Sequence, residues 1–586
     1  MVNPTRIRTP DPSMHIRTLL AGRWPATVAV AGALLLTIGA SPAPAATDAP
    51  AADDPLPTME RALSWATEHL SKGDEPLYYL AYAVNEHRTL TLQGTHGALA
   101  GAQWDVGRVG DIDARVGTMA LDSTHKIRDA SWWSETSRPN WSPPFDGGTA
   151  LFELLLRGTD DVYRAARRRL IKIRANTAVK VEREDTSDDF SPAPVVVDRS
   201  APLQEAFDEA TWRQWVKDAS ALYLDYPAVH DSAVQIVLTD ERRWLATNEG
   251  TRIADGRHHL RVATWADTTA DDGMQLQVYD YVDVATTAHL PDRDKLFAMV
   301  RAAAERLTEL RAAPLVDPYA GPAILRGRAA GVFFHEIFGH RIEGHRQKDE
   351  DEGQTFTSRM GQPILPTFLS VVDDPTLPRI KDIDLNGYYR YDDEGVPAER
   401  VTLVDKGILK NFLMSREPVE GSPRSNGHGR RQPGNDVVAR QGNLMVVANP
   451  TVTYTELRAR LIAEIKKQNK PFGLVFDDIS GGFTFTGRSE PNAFAVQPVT
   501  VWKVYADGRP DQLVRGVDLI GTPLTTFARI TAAADDVDVF NGVCGAESGW
   551  VPVSASAPSL LVSEVEVQRH EKANDRPPIL PAPGAR

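Results

Sequence analysis

The chain has 586 residues, 42% hydrophobic and 25% charged, with a formal net charge of −14. This suits a globular protein of two or three domains; the dispersed Gly and Pro exclude a collagen-like or low-complexity chain, and the acidic excess with scattered Lys and Arg excludes nucleic acid as a partner. A single cysteine, Cys544, excludes an internal disulfide framework and leaves that thiol as inert packing, an intermolecular bridge or a ligand.

Residues 1–45 have the three parts of a secretory signal peptide. Arg6, Arg8, Arg17 and Arg23 precede an apolar run at 26–38, and Ala43-Pro44-Ala45 has the small-x-small form of a cleavage site. The run is shorter than the roughly 20 residues a membrane span needs. Cleavage after Ala45 and export to the periplasm or cell envelope, with no stable membrane span, are therefore expected. Met14 is an alternative start that keeps the same segment.

Helical spacing of apolar residues over 57–70 is followed by strands around a turn over 77–92 and a helix over 148–176, with Leu151, Leu154, Leu155, Val162 and Leu170 among its apolar positions. A helix over 203–224 leads into alternating runs over 234–282, the pattern of a meander with one solvated face. Residues 291–313 form the strongest helical pattern, with proline near the first turn. Prolines at 314 and 318 then mark a boundary, after which one helix over 331–344 and one over 455–469 interrupt many short strands. The fold class expected is α+β. A mixed α/β N-terminal domain at 46–316 precedes a β-rich, barrel-like C-terminal domain at 317–571 and a flexible tail at 572–586.

Residues 331–345, GVFFHEIFGHRIEGH, concentrate the chemistry: three histidines and two glutamates, in a chain with 14 histidines. A glutamate directly after the first histidine resembles the zincin arrangement, in which two histidines bind zinc and the glutamate is general base. The spacing differs. Positions i and i+5 of an α-helix diverge by about 140°, so His335 and His340 meet one ion only if the helix is locally underwound or ends near Gly339, the poorest helix former short of proline. Otherwise the stretch is an amphipathic helix with solvated polar residues.

The stretch resembles the H-E-x-x-x-H signature of the TldD/PmbA family of metallopeptidases. The likeness continues through residues 371–378 (VVDDPTLP), 391–397 (YDDEGVP), 407–412 (GILKNF) and 541–545 (NGVCG). It is strong over roughly 320–565 and rests on general layout alone over 56–315. The resemblance implies a β-rich metallopeptidase domain with one zinc per chain, held by His335, His340 and Cys544, and with Glu336 as the catalytic base. Keeping the histidine signature places the chain on the TldD side, since PmbA-like members lack it. A homodimer, or a heterodimer with a paralogous PmbA-like subunit, is implied, the halves enclosing a chamber in which peptide lies as an added strand. The export signal departs from the best-known members, which are cytoplasmic.

Three protein ligands leave zinc a fourth position for water, with Glu336 to take its proton. Glu343 is either a partner orienting a histidine or a surface acid; His345, five residues beyond His340, is disfavoured as a substitute ligand. Arg430 and Arg431, in the loop 427–431, offer guanidinium forks for a substrate carboxylate, or belong to a turn with solvated arginines. The reading is a zinc metallopeptidase acting on unfolded or short peptides outside the cytoplasm. The alternatives are a non-catalytic zinc-containing binding or assembly subunit, and a zinc hydrolase of small amides or esters.

Overall fold

The computed structural model describes residues 54–127, 141–146, 148–177, 186–200, 205–349, 352–484, 486–487, 494–521 and 523–570. The expected signal peptide, its cleavage site and the tail at 572–586 lie outside them.

The turn expected within 77–92 is absent. Leu77–Thr95 is one strand, β1, and the chain reverses only at His96 and Gly97, both at positive φ (47° and 84°), a two-residue turn whose twist matches that of the flanking strands. The polar residues near its middle, which resemble a turn, stay in the ladder because charge is answered across it. Glu86 lies opposite Arg108 on β2 (Ala98–Thr118) and opposite Arg242 on β3 (Asp231–Thr247), and Arg108 Nε donates to its carboxylate at 2.7 Å. Such cross-strand pairs stabilise a sheet locally.

β3 pairs antiparallel with β4 (Arg252–Thr269), and β4 with β5 (Gln275–Val284), giving the meander expected over 234–282. Two short strands complete a seven-stranded sheet. One face of β1 serves two cores in succession along its length, and alternation turns its other residues to the opposite face. Leu80, Tyr82 and Val84 pack with helices α1 (Leu56–Leu70) and α2 (Gly148–Thr177), while Leu90 and Leu92 pack with α3 (Glu209–Ala221) and α4 (Arg293–Ala312). On the opposite face Tyr79, Ala81 and Ala83 meet Phe190 and, from the C-terminal half, Tyr391. Helix α3 starts later than its apolar spacing implies, because the Asp208 carboxylate accepts from Thr211 N–H and caps it there.

The C-terminal half is built on a closed five-stranded barrel. β6 (Tyr319–Leu325) runs parallel to β10 (Gly473–Thr484), which pairs with β11 (Phe494–Val504); β12 (Val517–Gly521) and β15 (Leu560–Arg569) close the ring back to β6. Beside it lies a six-stranded sheet. Its longer strands run in the order β8 (Val401–Asp405), β7 (Leu369–Asp373), β9 (Asn443–Ala448), β14 (Gly549–Ala557) and β13 (Asp538–Ala546), so that β13 is an edge. The α+β class with a β-rich, barrel-containing C-terminal half is as expected.

Helix α5 (Gly327–Ile337) is wedged between barrel and sheet. Gly331 permits that fit, since a Cβ there would lie 2.7 Å from Ala555 O on β14. Its other face carries Phe333 and Phe334, both fully buried, with Phe334 5.4 Å from the Phe527 ring and 6.4 Å from Phe338. Phe527 belongs to a short helix, α7 (Pro523–Ala528), that the sequence pattern does not announce; the helix expected over 455–469 is α6 (Tyr454–Lys467). Replacing Phe334 by alanine leaves a cavity where helix, barrel and α7 meet. The expected loss is about 3–5 kcal/mol, measured by denaturant unfolding.

Candidate metal centre

The single helix expected over 331–344 is two elements. α5 ends at Ile337, and Gly339–Ile342 winds as a 3-10 helix. Phe338, between them, is fully buried against Phe334, Phe356 and Phe527, which anchors the break in the core. At Gly339 a Cβ would lie 1.9 Å from Gln441 Oε1, and Gln441 in turn donates from Nε2 to His335 O at 3.4 Å. The break brings the two imidazoles together, with centroids 5.1 Å apart.

Cys544 reaches them from β13, where it pairs with Val551 of β14. Its Sγ is 3.2 Å from His335 Nε2 and 3.4 Å from His340 Nε2, and one ligand atom from each of the three residues falls within 4.8 Å of the others. Zn–N lengths of ~2.05 Å and a Zn–S length of ~2.3 Å around a tetrahedron give an N···S edge of about 3.5 Å. The donor set and its spacing therefore fit a zinc ion. All three residues are buried.

Charge compensation surrounds the cluster. Burial alone would raise the Cys544 thiol, but His340, Arg440 and His335 hold it well below the ordinary thiol value. Arg440, with no exposed surface, donates from Nη2 to Cys544 Sγ at 3.1 Å and to Cys544 O at 2.8 Å. Its Nε lies 3.4 Å from Glu343 Oε1. No motif marks Arg440 in the sequence. Only the fold discloses it, 104 residues before the cysteine that it contacts.

Glu343 is fully buried behind His340, its Oε2 3.4 Å from His340 Nδ1 and accepting from Arg346 Nε at 2.9 Å. Burial opposes its charge, but His340 and Arg346 outweigh it and bring the carboxyl down to about 2. Its surroundings are thus those of a histidine-orienting partner, not of a surface acid. His345 turns away from the cluster, its Nε2 paired with Glu547.

Glu336 is buried too, and burial raises its carboxyl against the opposing pull of His335 and His340. Among the described residues its carboxylate oxygens have no hydrogen-bond partner. Arg430 and Arg431 lie apart from the three ligands. Arg430 donates from Nη1 to Gln441 O at 2.6 Å and stacks 4.7 Å over Tyr389; Arg431 lies 3.4 Å from Asp111 Oδ2. The acidic run after Tyr391 is a turn: Asp392 Oδ1 accepts from the N–H groups of Glu394 and Val396.

Residues 319–569 match the PmbA/TldA metallopeptidase C-terminal domain. This span contains the barrel, the six-stranded sheet and the whole candidate centre, and it is this part of the chain that matches the PmbA/TldD family. A metalloprotease of Archaeoglobus fulgidus is 28% identical over 255 residues, covering 42% of this chain and 54% of that protein. The metalloprotease TldD homolog of Haemophilus influenzae is 28% identical over 250 residues, 42% and 48% of the two chains. The zinc metalloprotease TldD homolog of Saccharolobus solfataricus is 24% identical over 259 residues, 43% and 52%. The chain thus spans about half the length of the curated relatives it matches. The fold likeness is wider. A Thermotoga maritima protein described as a modulator of a DNA gyrase superposes with a TM-score of 0.58 at 16% identity, covering 87% of this chain and 99% of its own. TldE from Thermococcus kodakarensis does so with 0.54 at 12% identity, covering 87% and 100%.

If Cys544 is a zinc ligand, Cys544→Ser should weaken zinc binding by more than the ~10–100-fold typical of losing an outer-shell partner. Titration of purified protein with zinc against a competing chelator measures it, and wild-type affinity in the variant would remove Cys544 from the ligand set.

Proposed function

We propose that the chain is a zinc-dependent peptidase acting on unfolded or short peptides outside the cytoplasm, with His335, His340 and Cys544 holding one zinc. The observation that carries this reading is the convergence of two imidazoles and a thiolate beside a glutamate whose carboxylate is left unengaged. Bound there, zinc would supply a Lewis acid for the scissile carbonyl and make an attacking water more acidic. Glu336 is placed to accept a proton from the attacking water and pass it to the leaving amine. Its raised affinity for a proton, caused first by burial, suits a group that must accept one and then release it. Glu343 fixes the orientation of His340, and Arg440 holds the thiolate by hydrogen bonding.

An extended peptide is supported by the free edge of β13. Ser554 N–H donates to Gly442 O on the β9 side, so the Asn541–Ser554 pair across β13 and β14 is not hydrogen-bonded. By alternation Asn541, Val543 and Gly545 present their backbone groups outward. Val543 and Gly545 are exposed, flanking Cys544. A substrate strand added there is bound through its main chain, independently of sequence. Assembly as a homodimer, or with a PmbA-like subunit as the likeness to a TldE structure suggests, belongs to the same proposal.

Glu336→Gln preserves side-chain size and leaves the ligands untouched. It should retain zinc and peptide affinity while losing at least ~10²-fold in peptide hydrolysis, followed by mass spectrometry of a peptide-library digest. Activity equal to wild type would move the base elsewhere. Export has its own test: protein recovered from the native host should begin close to Ala46, and an intact Met1 or Met14 on cytoplasmic protein would refute it.

A further inference from the structure

The arginines around the centre are nearly all paired. Arg261 is bidentate to Asp283 at 2.7 Å, Arg243 to Asp255 at 2.8 and 3.0 Å, and Arg346 contacts Glu343, Glu352 and Glu547. Two others, Arg257 and Arg430, have no carboxylate within ion-pair distance among the described residues. Arg430 is only 7% exposed, and Arg257 is half-buried. Burying a guanidinium without an anion is costly unless something supplies one.

Both converge on one short segment. Arg257 Nη2 donates to Asn386 Oδ1, while Arg430 lies over the Tyr389 ring three residues on. Arg430 is near enough to Arg257 that, beyond the effect of burial and despite Glu241, the cross-strand neighbour of Arg257, it helps to depress the Arg257 guanidinium. Asn386 connects this pair to the edge strand, its Nδ2 donating to Gly542 O at 2.8 Å, two positions before Cys544.

The edge is contested at this same end. The outward carbonyl of Asn541 accepts the hydroxyl of Tyr281, so a strand laid along Gly545 and Val543 meets the Tyr281 side chain at Asn541 and competes with it for that carbonyl. At ~3.3 Å per residue, that point falls about two or three residues of extended peptide from Cys544.

We propose that Arg257 and Arg430 form a carboxylate subsite that receives a peptide substrate at the Asn541 end of the β13 edge. This rests on the peptidase reading for the identity of the occupant. A C-terminal carboxylate arriving there fixes the bound peptide antiparallel to β13 and favours cleavage two or three residues from its C-terminus. An acidic side chain offers the same group.

The test uses the mature Glu336→Gln chain and a fluorescently labelled unstructured peptide in three forms: free C-terminal acid, C-terminal amide, and amide ending in aspartate. The free acid should bind at least ~10-fold tighter than the plain amide, as a doubly charge-assisted contact implies. Arg257→Gln should abolish that preference and Arg257→Lys retain part of it. Tight binding of the aspartyl amide would assign the subsite to any carboxylate, and weak binding would assign it to the chain terminus alone. Equal binding of acid and amide, no binding of either, or a preference that survives Arg257→Gln would overturn the subsite. Hydrolysis by the wild-type chain is scored separately. An acid preference without hydrolysis would sink the peptidase reading and leave the subsite standing, and hydrolysis without acid preference would do the reverse.

Discussion

A thiolate, two imidazoles and two carboxylates share one buried volume, and the rest of the C-terminal half is arranged to make that tolerable. An isolated buried charge costs several kcal/mol even after relaxation, so each member needs a partner within contact. Cys544 is answered by His335, His340 and Arg440, and Glu343 by His340, Arg346 and Arg440. The outer ends of these cations are satisfied in turn: Arg440 by Ser548 and Gly549, Arg346 by Glu352 and Glu547. Among the described residues Glu336 alone of these groups lacks a compensating hydrogen bond, and it adjoins the first histidine.

The same constraint explains why the helix carrying the histidines is sandwiched and interrupted. Between barrel and sheet, α5 has no solvated face on which to turn its polar residues, so His335 and Glu336 emerge only where the helix stops. The stop is enforced from outside, by Phe338 in the aromatic cluster and by Gln441 occupying the space a side chain at Gly339 would need. Rigid packing of this kind holds the ligands in place before an ion arrives, which reduces the ordering cost of binding one.

The N-terminal sheet contributes directly to the C-terminal half. Its second face meets the C-terminal half through partly buried ion pairs, Arg243 with Asp393 and Arg416 with Glu249. It also delivers Tyr281 and Arg257 to the Asn541 end of the edge strand. The candidate metal ligands come from the matched domain alone, whereas the end of the edge strand is shaped by residues more than a hundred positions upstream.

What the sequence by itself determined was local. Apolar periodicity placed α2, α4 and α6 to within a few residues, because a helix face is written every three or four positions. The alternation over 234–282 placed the meander, and the H-E-x-x-x-H stretch with its family likeness singled out His335, Glu336, His340 and Cys544. Tertiary structure decided what depends on partners distant in the chain. Glu86 stays in a strand because Arg108 and Arg242 oppose it; α5 breaks because Phe338 and Gln441 require it. Cys544 meets His335, 209 residues away, because a sheet edge carries it there. Arg440 and Arg257 were illegible for the same physical reason. A cation is significant through the charge it faces or lacks, and nothing in its own neighbourhood along the chain records that.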